Sequence, residues 1–219
     1  MVRYTLVVGT KNLSSWSLRA YLAMRATGAP FAEEKFRIDH SQPQTEALRR
    51  YSPAGEVPVL KISEAGHTLT VWDSIAICET LAERHPEAYL WPEDAERRAM
   101  ARAYAAEMHA GFADVRDQLA MNFSRTLPAP PLRPATERQI ARIIEAWTAA
   151  LAESGGPFLF GGFSIADCMY APMVSRFRTY SVALPSELVA YGDRIMALPS
   201  VADWMKAAKA EVARSEQHT

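Results

Sequence analysis

The spacing of apolar residues changes character about a third of the way along this chain. Before that point, short strand-like runs alternate with helical stripes. Residues 4–8 (Tyr-Thr-Leu-Val-Val) read as a strand. Residues 15–28 read as a helix, with Leu18, Leu22 and Ala26 on one face and Gly28 as its stop. A second strand is expected over 31–38 and a short helix over 44–51. Residues 59–62 and 68–72 flank a turn at Gly66 and predict an antiparallel hairpin. A third helix is expected over 73–84. The resulting order is βαβαββα.

That order is the one of a thioredoxin-like α/β domain, here residues 1–84. His85-Pro86-Glu87 breaks the pattern and Trp91-Pro92-Glu93-Asp94 restarts it, so 85–93 is expected to be a linker. The remainder, 94–219, reads as all-helical. Met100, Tyr104, Met108, Phe112, Val115, Leu119 and Phe123 recur at helical steps, as do Ile140, Ile143, Ile144, Trp147 and Leu151. Val201, Trp204, Met205, Ala208 and Val212 form a third stripe. Residues 127–134 contain four prolines and must form a loop. Ser164-Ile165-Ala166-Asp167 has the form of a capping box, with Asp in place of Glu, and a folding role.

At 219 residues the chain can bury a sizeable core and hold one or two domains. A net charge of −1 gives no electrostatic case for nucleic acid or an acidic membrane. No apolar run approaches the roughly 20 residues that span a bilayer. Met1-Val2-Arg3-Tyr4 runs directly into a strand without a signal-peptide core, so a cytoplasmic location is expected. Cys78 and Cys168 lie among apolar neighbours in helix-like segments and read as buried small hydrophobes. No Cys-x-x-Cys or Cys/His cluster is present, so neither a metal nor a disulfide is expected.

Three short motifs in the first third carry the chemistry. Asn12-Leu13-Ser14-Ser15-Trp16-Ser17-Leu18-Arg19 places hydroxyls where the first strand hands over to a helix. Ser52-Pro53-Ala54-Gly55-Glu56-Val57-Pro58 leads into a strand, and Trp72-Asp73-Ser74 opens a helix. Each alone has a structural explanation, because Ser and Asp are preferred helix N-caps.

Taken in order, the set resembles the cytosolic glutathione S-transferase superfamily, over essentially the whole chain. Ser-Ser-Trp-Ser-x-Arg is closest to the serine-type turn of the zeta class, with Trp16 where that pattern has cysteine. Val57-Pro58 resembles the family's Val-cis-Pro, with Glu56 where Gln is common, and Asp73-Ser74 resembles its Glu/Asp-Ser pair. The capping box of the second half matches the family's core helix.

The resemblance implies a site for glutathione as co-substrate, with no metal. A free thiol has a pKa of about 8.5, so little of it is ionised near neutrality. A hydroxyl donor and a helix N-terminus both stabilise the thiolate. By resemblance Ser14 is favoured as the catalytic hydroxyl, with Ser15 as a supporting donor or the acting residue; Ser17 stays open. Val57 and Pro58 would present backbone to the cysteinyl unit. Ser74 would hold the γ-glutamyl carboxylate at a helix start, and Asp73 the ammonium. His40, Gln42 and Gln44 are candidates for the glycine carboxylate. Trp16, Tyr104, Met108 and Phe112 are candidates for an apolar electrophile wall.

The expected activity is therefore glutathione transfer to a small apolar electrophile or hydroperoxide, a detoxification chemistry, in a homodimer. A zeta-like cis-trans isomerase of the maleylacetoacetate type is the alternative. There Arg176 or Arg178, downstream of Pro172, would meet a substrate carboxylate. A non-catalytic binding module on the same fold is the alternative of another class.

Overall fold

The computed structural model describes residues 1–36 and 45–216. Its first part is a four-stranded sheet of β1 (Arg3–Val8), β2 (Phe31–Lys35), β3 (Val59–Glu64) and β4 (His67–Trp72). The strand order is β2-β1-β3-β4. β1 pairs in parallel with β2 and antiparallel with β3, and β3 pairs antiparallel with β4. Strand period sorts the central side chains. Tyr4, Leu6 and Val8 enter the main core, while Val7 joins Leu48, Tyr51 and Val59 in a smaller cluster. Burial on both faces explains why β1 reads as a continuous apolar run.

Helices α1 (Ser15–Ala26), α2 (Thr45–Arg49) and α3 (Ser74–Arg84) complete this part. Among the described residues α1 ends at Ala26 rather than 28 and α2 at Arg49 rather than 51; residues 37 and 38 of the expected second strand lie outside the described residues. Gly28 turns away at φ 70° just beyond α1. A short 3₁₀ turn, Pro86–Ala88, lies in the stretch expected to be a linker.

The second part is helical: α4 (Ala95–Ala110), α5 (Ala113–Gln118), α6 (Pro134–Ser154), α7 (Ile165–Thr179), α8 (Ser186–Ala197) and α9 (Pro199–Glu216). The single stripe expected from Met100 to Phe123 is divided. Gly111 closes α4, and a Cβ there would lie 2.7 Å from the Glu107 carbonyl oxygen. Phe112 then adopts a left-handed conformation at φ 59° and starts α5. Phe123 lies beyond that helix, and its N–H donates to Asn12 Oδ1 at 2.8 Å. Pro134 sits in the first turn of α6, where its missing N–H costs nothing.

α7 is the central helix and is buried along nearly its whole length. Asp167 Oδ2 accepts from the Ser164 N–H at 2.9 Å and from the Ser164 hydroxyl at 3.1 Å. Its other oxygen accepts from Leu159 N at 3.2 Å and Tyr191 OH at 3.1 Å. Trp147 packs edge-on to Tyr170 and Tyr191 beside α7. α1 lies between the sheet and α7, so the Ser14–Ser17 turn opens at the junction of the two parts.

C-terminal packing also fixes that turn. Trp204 Nε1 of α9 donates to the Lys11 carbonyl at 2.9 Å, and the Lys11 ammonium pairs with Glu33 at 2.7 Å. The same ammonium lies over the rings of Tyr21 and Trp204. No helix among the described residues is long and apolar enough to cross a membrane.

Candidate active site at the start of helices α1 and α3

Ser14 is the N-cap of α1. Its Oγ accepts from Ser17 N at 3.3 Å, and its proton goes to Ser17 Oγ at 2.8 Å. Ser17 is fully buried and also accepts from Gly9 N at 3.0 Å, which ties the end of β1 to the helix. Ser15 is buried too, and its Oγ accepts from Arg176 Nη2 of α7 at 3.4 Å. Trp16 is half-buried beside them.

The second helix start is built differently. Asp73 caps α3 with Oδ1 accepting from Ile75 N at 2.8 Å. Its backbone stands at φ 72° and ψ 135°, a region that a residue with a Cβ avoids. Such a conformation typically costs about 1–3 kcal/mol and persists where the surroundings hold it. His109 of α4 supplies part of that hold, with Nε2 at 3.3 Å from Asp73 Oδ2. Ser74 follows as the first helical residue, and its buried Oγ has no partner. The Val57-Pro58 peptide ahead of β3 is cis.

Trp16 joins the two starts. Its ring meets His109 edge-on at 5.1 Å, and the guanidinium groups of Arg19 and Arg116 lie 4.3 and 5.2 Å from its centre. Arg19 is only 1% exposed, and its Nε and Nη1 have no hydrogen-bond partner. Burial, then Arg116 and Arg176, lower its pKa to about 9. Burial and then Arg116 lower that of Arg176 to about 10. Burial also lowers Arg116. All three stay charged at neutral pH. Among the described residues, none of the three has a carboxylate within ion-pair distance. Three cations without an ion-pair partner among the described residues thus gather around Trp16 and Ser15, with Asp73 acting on Arg19 from a distance.

The structure therefore brings together Ser14, Ser15, Trp16, Asp73 and Ser74. Arg176 belongs to this group, whereas Arg178 points outward and pairs with Asp193. Met108 and Phe112 are core residues, 1% and 6% exposed. Tyr104 turns to α6 and the loop beyond it: it packs edge-on against Phe160, and Arg142 and Glu107 act on its hydroxyl. Trp16 packs instead against His109, so the two rings have different partners. His40, Gln42 and Gln44 lie outside the described residues. Among those described, no group of three or more His, Cys, Asp or Glu could hold a metal.

Sequence reasoning passed over His109 and Arg116, and named Arg19 in the Ser-Ser-Trp-Ser-x-Arg turn without giving it a role. Only Arg19 left a usable signal: an arginine one turn after Ser15, beside the apolar positions Leu18 and Leu22.

Comparison with known proteins places the chain in a family and agrees with its fold. Residues 13–84 match the family description glutathione S-transferase, N-terminal domain, and 130–207 match glutathione S-transferase, C-terminal domain. The chain belongs to the glutathione S-transferase superfamily. It is 25% identical to the maleylacetoacetate isomerase of Rattus norvegicus, over 80% of this chain and 78% of that one. It is 28% identical to a probable maleylacetoacetate isomerase of Drosophila melanogaster, over 78% of this chain and 74% of that one. A Burkholderia glutathione transferase homolog with bound glutathione superposes with a TM-score of 0.71 at 25% identity, covering 95% of this chain and 99% of that one. An Omega glutathione transferase from Trametes versicolor shares the fold with a TM-score of 0.72 at 20% identity, covering 99% of each chain.

Proposed function

We propose that this glutathione transferase binds glutathione where the starts of α1 and α3 meet α4, and ionises its thiol at the Ser14–Ser15 turn. The γ-glutamyl carboxylate sits at the Ser74 hydroxyl and the N-terminal end of α3. Asp73 takes the ammonium, and the backbone at Val57 and Pro58 pairs with the cysteinyl unit. The thiolate then attacks an electrophilic carbon.

The observation that carries this reading is the Ser74 hydroxyl, buried and without a protein partner behind a strained Asp73. An unsatisfied buried hydroxyl costs about 1–3 kcal/mol. A ligand carboxylate at that position removes the penalty.

One observation favours the isomerase reading. Arg19, Arg116 and Arg176 have no acidic partner among the described residues, and they suit a substrate that carries carboxylates better than an apolar one. In that reaction the thiolate adds to a conjugated cis-diacid, the carbon–carbon bond rotates, and the thiolate leaves. The two readings share glutathione activation and differ in the electrophile.

A homodimer belongs to the same proposal, since Leu69 and Trp72 of β4 and Met100 of α4 leave apolar surface exposed. So does a cytoplasmic role in detoxification. The test is retention on immobilised glutathione, followed by turnover of chlorodinitrobenzene and of a conjugated cis-diacid. Faster turnover of the diacid selects the isomerase. Failure to bind glutathione overturns both readings.

A further inference from the structure

We propose that Arg176 polarises the Ser15 hydroxyl, so that Ser15 rather than Ser14 donates to the glutathione sulfur. This rests on the transferase reading above and assigns the donor within it.

The hydrogen bonds around the turn separate the two serines. Ser14 spends its proton on Ser17 Oγ and a lone pair on Ser17 N, so it serves the cap of α1. Ser15 Oγ accepts from a guanidinium, which has N–H groups and no lone pair to offer. Ser15 therefore keeps its own proton for another acceptor. Accepting from a cation also strengthens the hydrogen bond that the Ser15 O–H donates, because linked hydrogen bonds polarise one another.

Arg176 cannot swing away freely. It is 5% exposed, and Nη1 donates to the carbonyls of Arg116 and Leu119 around the end of α5. Its fork thus spans from the end of α5 to the start of α1. The charged and titratable groups facing the turn are Arg19 on α1, Asp73 before α3 and Cys78 on it, His109 on α4, Arg116 on α5, and Arg176 with Tyr180 at the end of α7. The cations outnumber the single carboxylate, and an anionic sulfur beside Ser15 sits in a favourable field. Arg176 is a positioning residue, since it acts through Ser15 and the field rather than on the sulfur.

The experiment is titration of the thiolate ultraviolet absorbance of bound glutathione, with affinity measured by calorimetry. The variants are Ser14→Ala, Ser15→Ala, Arg176→Gln, Arg176→Lys and the Ser15→Ala/Arg176→Gln pair. Ser15→Ala is expected to raise the bound thiol pKa by about one unit, or tenfold less thiolate below that pKa. Arg176→Gln is expected to raise it similarly, with Arg176→Lys keeping part of the depression. The double variant is expected to go no further than the larger single effect. A purely structural Arg176 would lower the melting temperature and leave the thiol pKa unmoved, which overturns the proposal. So does a shift in Ser14→Ala with none in Ser15→Ala, a pair that decides the matter even where Arg176→Gln fails to fold. Wild-type protein that binds no glutathione overturns the transferase reading itself. Bound glutathione with the wrong serine overturns only this assignment.

Discussion

His109 Nε2 lies 3.3 Å from Asp73 Oδ2, and this contact ties α4 of the helical part to the cap of α3 in the sheet part. Asp73 holds a conformation that its own backbone disfavours, so its orientation depends on that outside contact. His109→Ala is expected to loosen Asp73 and weaken glutathione binding about fivefold, the effect of roughly 1 kcal/mol. Calorimetry checks this. Unchanged affinity would place the His109 contact outside the binding machinery.

Ser74→Ala separates stability from function. The hydroxyl makes no hydrogen bond within the protein, so its loss breaks none. The variant is expected to melt at or above the wild-type temperature. Glutathione affinity is expected to fall ten- to a hundredfold, since a lost hydrogen bond to a charged group costs about 1.5–3 kcal/mol. Thermal unfolding and calorimetry on the same preparation test both halves.

Cys78 and Cys168 are fully buried, and burial pushes Cys78 up to about 12 and Cys168 well above its ordinary value. Thiolates are the reactive form, so neither residue is expected to react while the protein is folded. Ellman titration should find no reactive thiol in the native protein and both in denaturant. Activity should survive the native treatment. Loss of activity on native thiol modification would give a cysteine a part in the chemistry.

Asp167 gives a pH signature in stability. Burial raises its pKa from 3.8 to about 6, against four donated hydrogen bonds that lower it. Between those values the folded protein keeps a proton that the unfolded chain has lost. This group's contribution is therefore full below pH 3.8, falls as pH rises, and levels off above about 6, with a span of about 3 kcal/mol. Asp167→Asn removes that component. Urea unfolding of both proteins from acid to neutral pH should show the wild-type advantage shrinking as pH rises.

The strand-helix order and the helical stripes were legible because β1, buried on both faces, is a short unbroken apolar run, and α6 buries every third or fourth residue. The serines, Val57-Pro58 and Asp73-Ser74 were legible because each sits at the start of an element, where sequence marks caps and strand entries. The break at Gly111 was hidden, because Phe112 keeps an apolar position in the stripe while its backbone turns left-handed. The arginine group was hidden for a different reason. Arg19, Arg116 and Arg176 come from α1, α5 and α7, and only the fold brings the first two to the Trp16 ring and the third to the neighbouring Ser15. No local spacing encodes that convergence, and helical arginines ordinarily reach solvent. Resemblance favoured Ser14 as the active hydroxyl; Ser14 also caps α1, and Ser15 accepts from Arg176, a contact that no local spacing announces.

The central claim is that this turn makes the glutathione thiolate. The most direct measurement is the ultraviolet absorbance of the thiolate in the wild-type complex, titrated across pH. The account predicts a bound thiol pKa about 2 units below the free value of about 8.5, so that thiolate dominates at neutral pH. A bound thiol that titrates at its free value would contradict it.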